Sequence, residues 1–258
     1  MRPLFKSLNL IKTLLFVLLS PVAAHTAAES ESFTFVTESY PPYNFVESGK
    51  LQGIAVDLLV SASRQTEKPV TANDIHLLPW PRAYKMALEG PDTVLFSTTR
   101  TQQREDLFHW VGPITTTRIV LLARASDQVT INSLADIRGY TIGAIRDDVG
   151  DQLIRSAGVK PEAIKNIANA TSLAKMLAKG RIDLWAYEEN VARWYIKTAG
   201  LNNANFKAVY TLKESELYYT FSKDIDRRRV KSLQQAIDQI RSDQQQYQNI
   251  INRYLSMP

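Results

Sequence analysis

The sequence predicts an α/β fold of two lobes joined by two crossing strands. Short apolar, β-branched segments alternate with segments whose apolar residues recur at helical spacing, a pattern typical of sheets covered by helices. Two β-rich regions lie at 108–125 and 206–222. A chain that leaves the first lobe through one of them returns through the other, so the final helical segment belongs with the first lobe.

The predicted elements follow in order. Strand Phe33–Thr37 leads through a proline-rich turn to a helix whose apolar face includes Ile54 and Leu58. Pro81 suits the first turn of a helix that follows a strand from Ile75. Further strands are predicted at 93–96, 108–114, 118–125, 140–145, 206–212 and 218–222, with a break at 112–113 and a connection at 213–217. The predicted domains are 29–122 and 217–258 for lobe I and 123–216 for lobe II.

Residues 1–28 are predicted to be a signal peptide. Arg2, Lys6 and Lys12 precede an apolar stretch at 13–20, and small residues at 22–24 offer a cleavage site. A retained anchor helix is the alternative, although the apolar stretch is short for a membrane span of ~20 residues. We therefore expect an exported protein.

Composition excludes several functions. The chain has no cysteine, which rules out disulfides, thiol catalysis and an N-terminal lipid on cysteine. Removing 1–28 removes three cations and no acid, so the formal net charge falls from +5 to +2. A charge this small gives no reason to expect nucleic-acid binding.

The segment 97–104 is predicted to bind an anion. It follows the strand at 93–96 and contains Ser97, Thr98, Thr99, Arg100 and Arg104. Hydroxyls and a guanidinium in this arrangement can hold a carboxylate through charge-assisted hydrogen bonds. The alternative is a capped turn with solvated arginines.

Aromatic residues and further charges follow other strand ends. Tyr40 and Tyr43 flank two prolines that stiffen the turn after the first strand, and Glu38 lies beside them. Trp80 and Arg82 follow the strand from Ile75, where an aromatic ring and a cation suit recognition. Either pair could instead serve packing or solvation.

These motifs resemble those of the bacterial extracellular solute-binding proteins of family 3, the periplasmic polar amino-acid receptors of ABC importers. The family pattern Thr-x-Thr-x-x-Arg matches Thr99, Thr101 and Arg104, and an aromatic residue follows at Phe108. The resemblance implies a two-lobed periplasmic-binding-protein type II fold. It also implies that Arg104 binds a ligand carboxylate.

Two further matches imply roles in the second lobe. Relatives have Gly-Arg-x-Asp, a buried strand and then an Asp that binds the ligand ammonium, and Glu188 occupies the position of that Asp. Glu188 could also cap the helix that begins near Asn190. At the start of the preceding helix, Asp147 and Asp148 replace the small residues of most relatives. These acids either face away from the ligand or meet a cationic group.

The resemblance predicts a receptor that closes on a small zwitterionic solute, with no chemical step, cofactor or metal. The expected partners are this solute and an ABC permease or a sensor, and we expect a monomer. A sensory protein without a transporter and a periplasmic dehydratase of the cyclohexadienyl type are the alternatives. The predicted ligand-binding residues are Glu38, Tyr40, Tyr43, Trp80, Arg82, Ser97, Thr98, Thr99, Arg104, Asp148 and Glu188.

Overall fold

A computed structural model describes residues 33–66 and 68–255. The predicted signal peptide at 1–28 lies outside the described residues. The strands are β1 Thr34–Thr37, β2 Phe45–Glu47, β3 Lys50–Gln52, β4 Ile75–Leu77, β5 Thr93–Thr99, β6 His109–Arg124, β7 Ile142–Ile145, β8 Ile164–Ile167, β9 Leu184–Glu188 and β10 Phe206–Phe221. The α-helices are α1 Ile54–Ser63, α2 Trp80–Glu89, α3 Val149–Ser156, α4 Ala170–Ala178, α5 Glu189–Thr198, α6 Arg227–Ser242 and α7 Gln244–Leu255.

An eight-stranded sheet has the order β4-β1-β5-β10-β6-β9-β7-β8. β1 is parallel to β4 and β5 at one end of the order, and β7 is parallel to β8 and β9 at the other. The long strands β6 and β10 run antiparallel to each other between these groups. The predicted α/β class with two crossing strands is therefore confirmed.

The crossing strands differ from the prediction, which was wrong to break each of them in two. β6 and β10 are each continuous over 16 residues. At the expected break, Gln234 of α6 donates to the carbonyl of Gly112 and accepts its N–H, both at 2.8 Å. These side-chain bonds satisfy backbone groups next to Pro113, which has no N–H of its own. The segment 213–217 instead pairs with β6, as Lys213 does with Ile119.

The predicted domain boundaries at 122/123 and 216/217 fall within β6 and β10, and the division into lobes stays a prediction. α6 and α7 pack against α1. Leu233, Ile237 and Ile240 of the α6 stripe are buried within the chain, which favours intramolecular packing over a coiled coil. Across the ranges that the structure describes, none of the helices is long and apolar enough for a membrane span.

Candidate functional site

The turn between β1 and β2 holds two tyrosines in fixed positions. The N–H of Tyr40 donates to the carbonyl of Asn44 at 2.6 Å, and the N–H of Tyr43 donates to the carbonyl of Tyr40 at 2.9 Å. Gly53, with φ 128°, lies against this turn, since a Cβ built there would be 2.4 Å from the carbonyl oxygen of Tyr43. Both tyrosines are buried, so the turn directs their rings into the protein.

Arg104 is fully buried in a short 3-10 helix, Gln102–Leu107, that follows β5. Its Nε donates to Oε1 of Gln152 at 3.0 Å, its Nη1 to the carbonyl of Thr99 at 3.3 Å and its Nη2 to the carbonyl of Asp147 at 3.2 Å. Each guanidinium nitrogen uses one hydrogen, so Nη1 and Nη2 each keep a second N–H. Two parallel N–H groups of this kind can hold a carboxylate.

Two aromatic rings that stack on each other lie beside the guanidinium of Arg104. Its central carbon lies 5.5 Å from the centre of the Trp80 ring and 5.0 Å from that of Tyr84. The indole Nε1 of Trp80 also donates to the carbonyl of Asp147 at 3.0 Å. Cation–π attraction and this shared carbonyl fix the orientation of Arg104. Trp80, which we expected beside the ligand side chain, lies against Arg104.

The two acids before α3 have different environments. Asp147 is exposed and adopts the left-handed region, with φ 62°. Asp148 has φ −74°, is only 4% exposed, and its Oδ2 has no hydrogen-bond partner. Of the two acids, only Asp148 is enclosed by the protein, and whether it meets a ligand stays a prediction.

Glu188 ends β9 and is the N-cap residue of α5. Its Oε2 accepts the N–H of Val191 at 2.8 Å, and its Oε1 accepts the hydroxyl of Tyr43 at 3.0 Å. Asn190 donates to the same hydroxyl at 3.1 Å. Burial raises the pKa of Glu188 to about 7, because the loss of solvation outweighs the lowering by Val191 and Tyr43. Glu188 thus caps the helix and also contacts the tyrosine turn.

Electrostatic interactions connect five residues, Glu38, Tyr40, Arg104, Asp148 and Glu188, which we call the charged cluster. Burial raises the pKa of Glu38, Asp148 raises it further and Arg104 lowers it. Burial also raises the pKa of Asp148, and Arg104 again lowers it. The pKa of Tyr40 is raised by burial and then by both Asp148 and Glu188. Segments far apart in sequence therefore bring one guanidinium and three carboxyl groups to the same region.

The hydroxyl residues of the 97–99 segment have internal partners. The hydroxyl of Ser97 donates to Oδ1 of Asn44, and the hydroxyl of Thr98 shares a hydrogen bond of 3.2 Å with that of Thr220. Thr99 contributes its carbonyl to the guanidinium next to it. All three side chains are buried, and of the three residues Thr99 is the one that bonds to Arg104.

Two other arginines lie outside the charged cluster. Arg82 has an exposed side chain on α2. Arg100, whose role the sequence left open, donates its Nε to Glu105 at 2.8 Å. Its guanidinium also lies over the rings of Trp110 and Tyr218, at 5.4 and 5.1 Å. These contacts give Arg100 a structural role beside the crossing strands.

Sequence reasoning missed four residues of the site: Tyr84, Gln152, Tyr187 and Asn190. The ring of Tyr187 meets that of Tyr40 edge to face at 5.7 Å, and the other three contact Arg104 or Tyr43. Asn190 and Tyr187 flank Glu188 in sequence, and Gln152 lies one helical turn after Asp148. Tyr84 likewise lies one helical turn after Trp80, so proximity to predicted site residues was a usable signal for all four.

A polar cavity of about 370 Å³ borders the site at the crossing strands. Asn190 lies between this cavity and the tyrosine turn, and Thr117 in its lining has a buried hydroxyl without a hydrogen-bond partner. The lining residues are Thr116, Thr117, Arg118, Asn190, Glu214 and Ser215. Within 33–66 and 68–255, no three His, Asp or Glu side chains are grouped so as to hold a metal ion.

Comparisons with known proteins identify relatives of this chain. Residues 34–257 match the bacterial extracellular solute-binding proteins, family 3. The L-cystine-binding protein TcyA of Bacillus subtilis (strain 168) is 25% identical over 188 residues, which cover 72% of this chain and 67% of that protein.

Two solved structures show the same fold. The P235GK mutant of ArgBP from T. maritima has a TM-score of 0.74 and 18% identity, covering 88% of this chain and 96% of its own. A histidine kinase sensor domain with similarity to periplasmic binding proteins also has a TM-score of 0.74, with 20% identity, covering 86% and 96%. The periplasmic-binding-protein type II fold is therefore confirmed.

Proposed function

The chain belongs to the bacterial extracellular solute-binding proteins, family 3, and from that premise we propose that it captures an amino acid or a closely related zwitterion. The observation that supports this most strongly is the charged cluster. A buried guanidinium and a buried carboxyl group, Arg104 and Glu188, come from opposite sides of the crossing strands and lie in one electrostatically coupled group.

The proposed binding mode follows from the donors and acceptors in the cluster. The two remaining N–H groups of Arg104 bind the ligand carboxylate. Glu188, once ionised, accepts the ligand ammonium through Oε1, at which the hydroxyl of Tyr43 already donates. Tyr40 and Tyr43 lie beside the ligand side chain. Binding, orientation and release are the whole activity, and no bond of the solute is broken.

Ligand-driven closure would couple binding to a partner. Hydrogen bonds between the two predicted lobes join Tyr43 to Glu188, Trp80 to the carbonyl of Asp147, and Tyr195 to the carbonyl of Ser39 at 2.7 Å. A ligand that bridges the same two lobes favours a closed arrangement over an open one by its difference in affinity for the two.

We propose that the closed form acts in the periplasm, after removal of the signal peptide at 1–28, and is recognised by an ABC permease. TcyA, by its name, binds L-cystine, which supports an amino-acid ligand. The similarity to a histidine kinase sensor domain makes signalling the second candidate. Both candidates need the same ligand-driven closure, and they differ only in the partner protein that recognises the closed form.

A thermal-shift screen of the protein without residues 1–28 against amino acids and small organic acids tests this proposal. A ligand present at 100 times its Kd stabilises the folded state by about 2.7 kcal/mol, which raises Tm by about 5–10 °C for a chain of this size. A panel in which no amino acid raises Tm would contradict the proposed function.

The role of Arg104 is tested with the ligand that the screen identifies. Arg104→Ala leaves the ligand carboxylate buried without its partner, so binding should weaken by about 2–5 kcal/mol. Arg64→Ala, which changes an exposed arginine at the end of α1, is the matched control. Unchanged affinity of Arg104→Ala in isothermal titration calorimetry would remove Arg104 from the site.

A further inference from the structure

Asp148 carries a buried carboxylate that the protein itself does not fully use. Its Oδ2 has no hydrogen-bond partner, and the residue is 4% exposed. As the N-cap residue of α3, it makes no side-chain capping hydrogen bond. The N–H groups of Val149 and Gly150 favour its charged form, but burial disfavours that form more strongly. Helix capping therefore does not account for an acid at this position.

Arg104 does not account for Asp148 either. The guanidinium attracts this carboxylate, yet its three hydrogen bonds within the protein go to neutral oxygens, those of Gln152, Thr99 and the main chain of Asp147. The two charges are near each other without a direct hydrogen bond. Oδ2 thus remains free to accept a donor that the protein does not supply.

The charge balance of the cluster indicates the kind of donor. One guanidinium lies among three carboxyl groups, those of Glu38, Asp148 and Glu188, and Asp148 disfavours the charged form of Glu38. When all three carboxyl groups are ionised, negative charge exceeds positive charge, and a ligand with one carboxylate and one ammonium leaves this excess unchanged. A ligand with an additional positive group reduces it, and the interaction is strong because the site is shielded from water.

We propose that Asp148, assisted by Glu38, binds a positively charged side chain of the ligand, so that the site selects cationic amino acids over neutral ones. The rings of Tyr40 and Tyr187 meet edge to face at 5.7 Å, and both groups interact electrostatically with Asp148. Aromatic rings beside an acid suit a guanidinium or an ammonium group. This inference rests on the proposed function and specifies its substrate class.

Arginine and citrulline provide the test, because they have nearly the same shape and differ in side-chain charge. Isothermal titration calorimetry at pH 7.5 on the protein without residues 1–28 should show arginine binding at least about 30-fold more tightly than citrulline. In Asp148→Asn, which keeps the shape of the side chain, arginine should lose most of that advantage while the affinity for citrulline changes little.

Asp147→Asn is the matched control, since Asp147 is the adjacent residue with an exposed side chain, and it should keep the preference for arginine. Asp148→Ser, which places a favourable N-cap residue at the start of α3, is a second variant in case the first folds poorly. It should lose the same preference for arginine.

A second measurement separates ligand binding from a structural role. Without ligand, Asp148→Asn should melt at a higher temperature than the wild type at pH 7.5, because the substitution removes a poorly compensated buried charge. A structural role for the carboxylate predicts the opposite change. A lower Tm combined with an unchanged preference for arginine would overturn the proposal.

The outcomes distinguish this inference from the proposed function. If neutral amino acids bind as tightly as arginine, the assignment of Asp148 is wrong while the amino-acid receptor stands. If no amino acid binds, the proposed function fails and this inference fails with it. If Asp148→Asn keeps the full preference for arginine, a group other than Asp148 binds the positive charge of the ligand, and the proposal is overturned.

Discussion

The stability of the ligand-free protein should depend on pH through Glu188. The side chain is fully buried, and its pKa rises from an ordinary 4.5 to about 7 in the folded protein. Between these values the folded state binds more protons than the unfolded state. The free energy of unfolding therefore falls as pH rises through this window and becomes constant above it.

The size of the effect follows from the two pKa values. One pKa unit corresponds to about 1.36 kcal/mol, so a shift from 4.5 to about 7 contributes on the order of 3 kcal/mol. Glu188→Gln removes this contribution. The amide oxygen of the new side chain can still accept the N–H of Val191, and its NH₂ group can donate to the hydroxyl of Tyr43. The variant should thus gain about 3 kcal/mol relative to the wild type between pH 4.5 and pH 8.

Urea unfolding at half-unit intervals from pH 4.5 to pH 8, followed by tryptophan fluorescence, measures this difference. Comparing variant with wild type at each pH isolates Glu188 from the other buried acids of the charged cluster. Glu89→Gln, at an exposed glutamate of α2, controls for the chemical change. A difference between Glu188→Gln and wild type that does not vary with pH would refute the reasoning.

Two further variants test the tyrosine turn. Tyr43→Phe removes the hydroxyl that donates to Glu188 and accepts from Asn190. The free energy of unfolding, measured with urea, should fall by about 1 kcal/mol. An unchanged midpoint would contradict a stabilising contact between Tyr43 and Glu188. Gly53→Ala places a Cβ 2.4 Å from the carbonyl oxygen of Tyr43, at a residue whose φ is 128°. It should lower the free energy of unfolding by at least about 2 kcal/mol and weaken ligand binding. Gly49→Ala, at φ 78° with open space around it, is its control; equal losses would mean that backbone conformation alone is responsible.

The order of the elements could be predicted from the sequence because it depends on local pattern. The apolar segment of β5, the helix from Ile54 and the proline at the start of α2 are short-range signals, and each lies in the expected element. The continuity of β6 and β10 was missed because it depends on a partner more than a hundred residues away. Gln234 satisfies the backbone of Gly112 from α6, and local sequence does not reveal that contact.

The sequence pointed to the residue types of the candidate site but not to its geometry. Loop composition and family pattern point to Arg104 and Glu188, which are both buried, and their roles in ligand binding stay predictions. The separate environments of Asp147 and Asp148 depend on one left-handed backbone conformation at Asp147, which either aspartate could have adopted. Trp80 lies against Arg104 and its indole N–H reaches the carbonyl of Asp147, contacts that the sequence did not reveal, and its contact with a ligand stays a prediction.

The capping role of Glu188 leaves room for the proposed role in ligand binding. Its Oε2 accepts the N–H of Val191 and its Oε1 accepts the hydroxyl of Tyr43, so the two oxygens have different tasks. The N-terminus of α5 favours a negative charge, which offsets part of the desolvation and keeps the carboxyl group able to ionise near neutral pH. Asp148 begins α3 without a side-chain capping bond, and the groups that favour its charge are Arg104 and the N–H groups of Val149 and Gly150. We therefore expect a cationic ligand to interact with Oδ2 of Asp148, which has no hydrogen-bond partner within the protein.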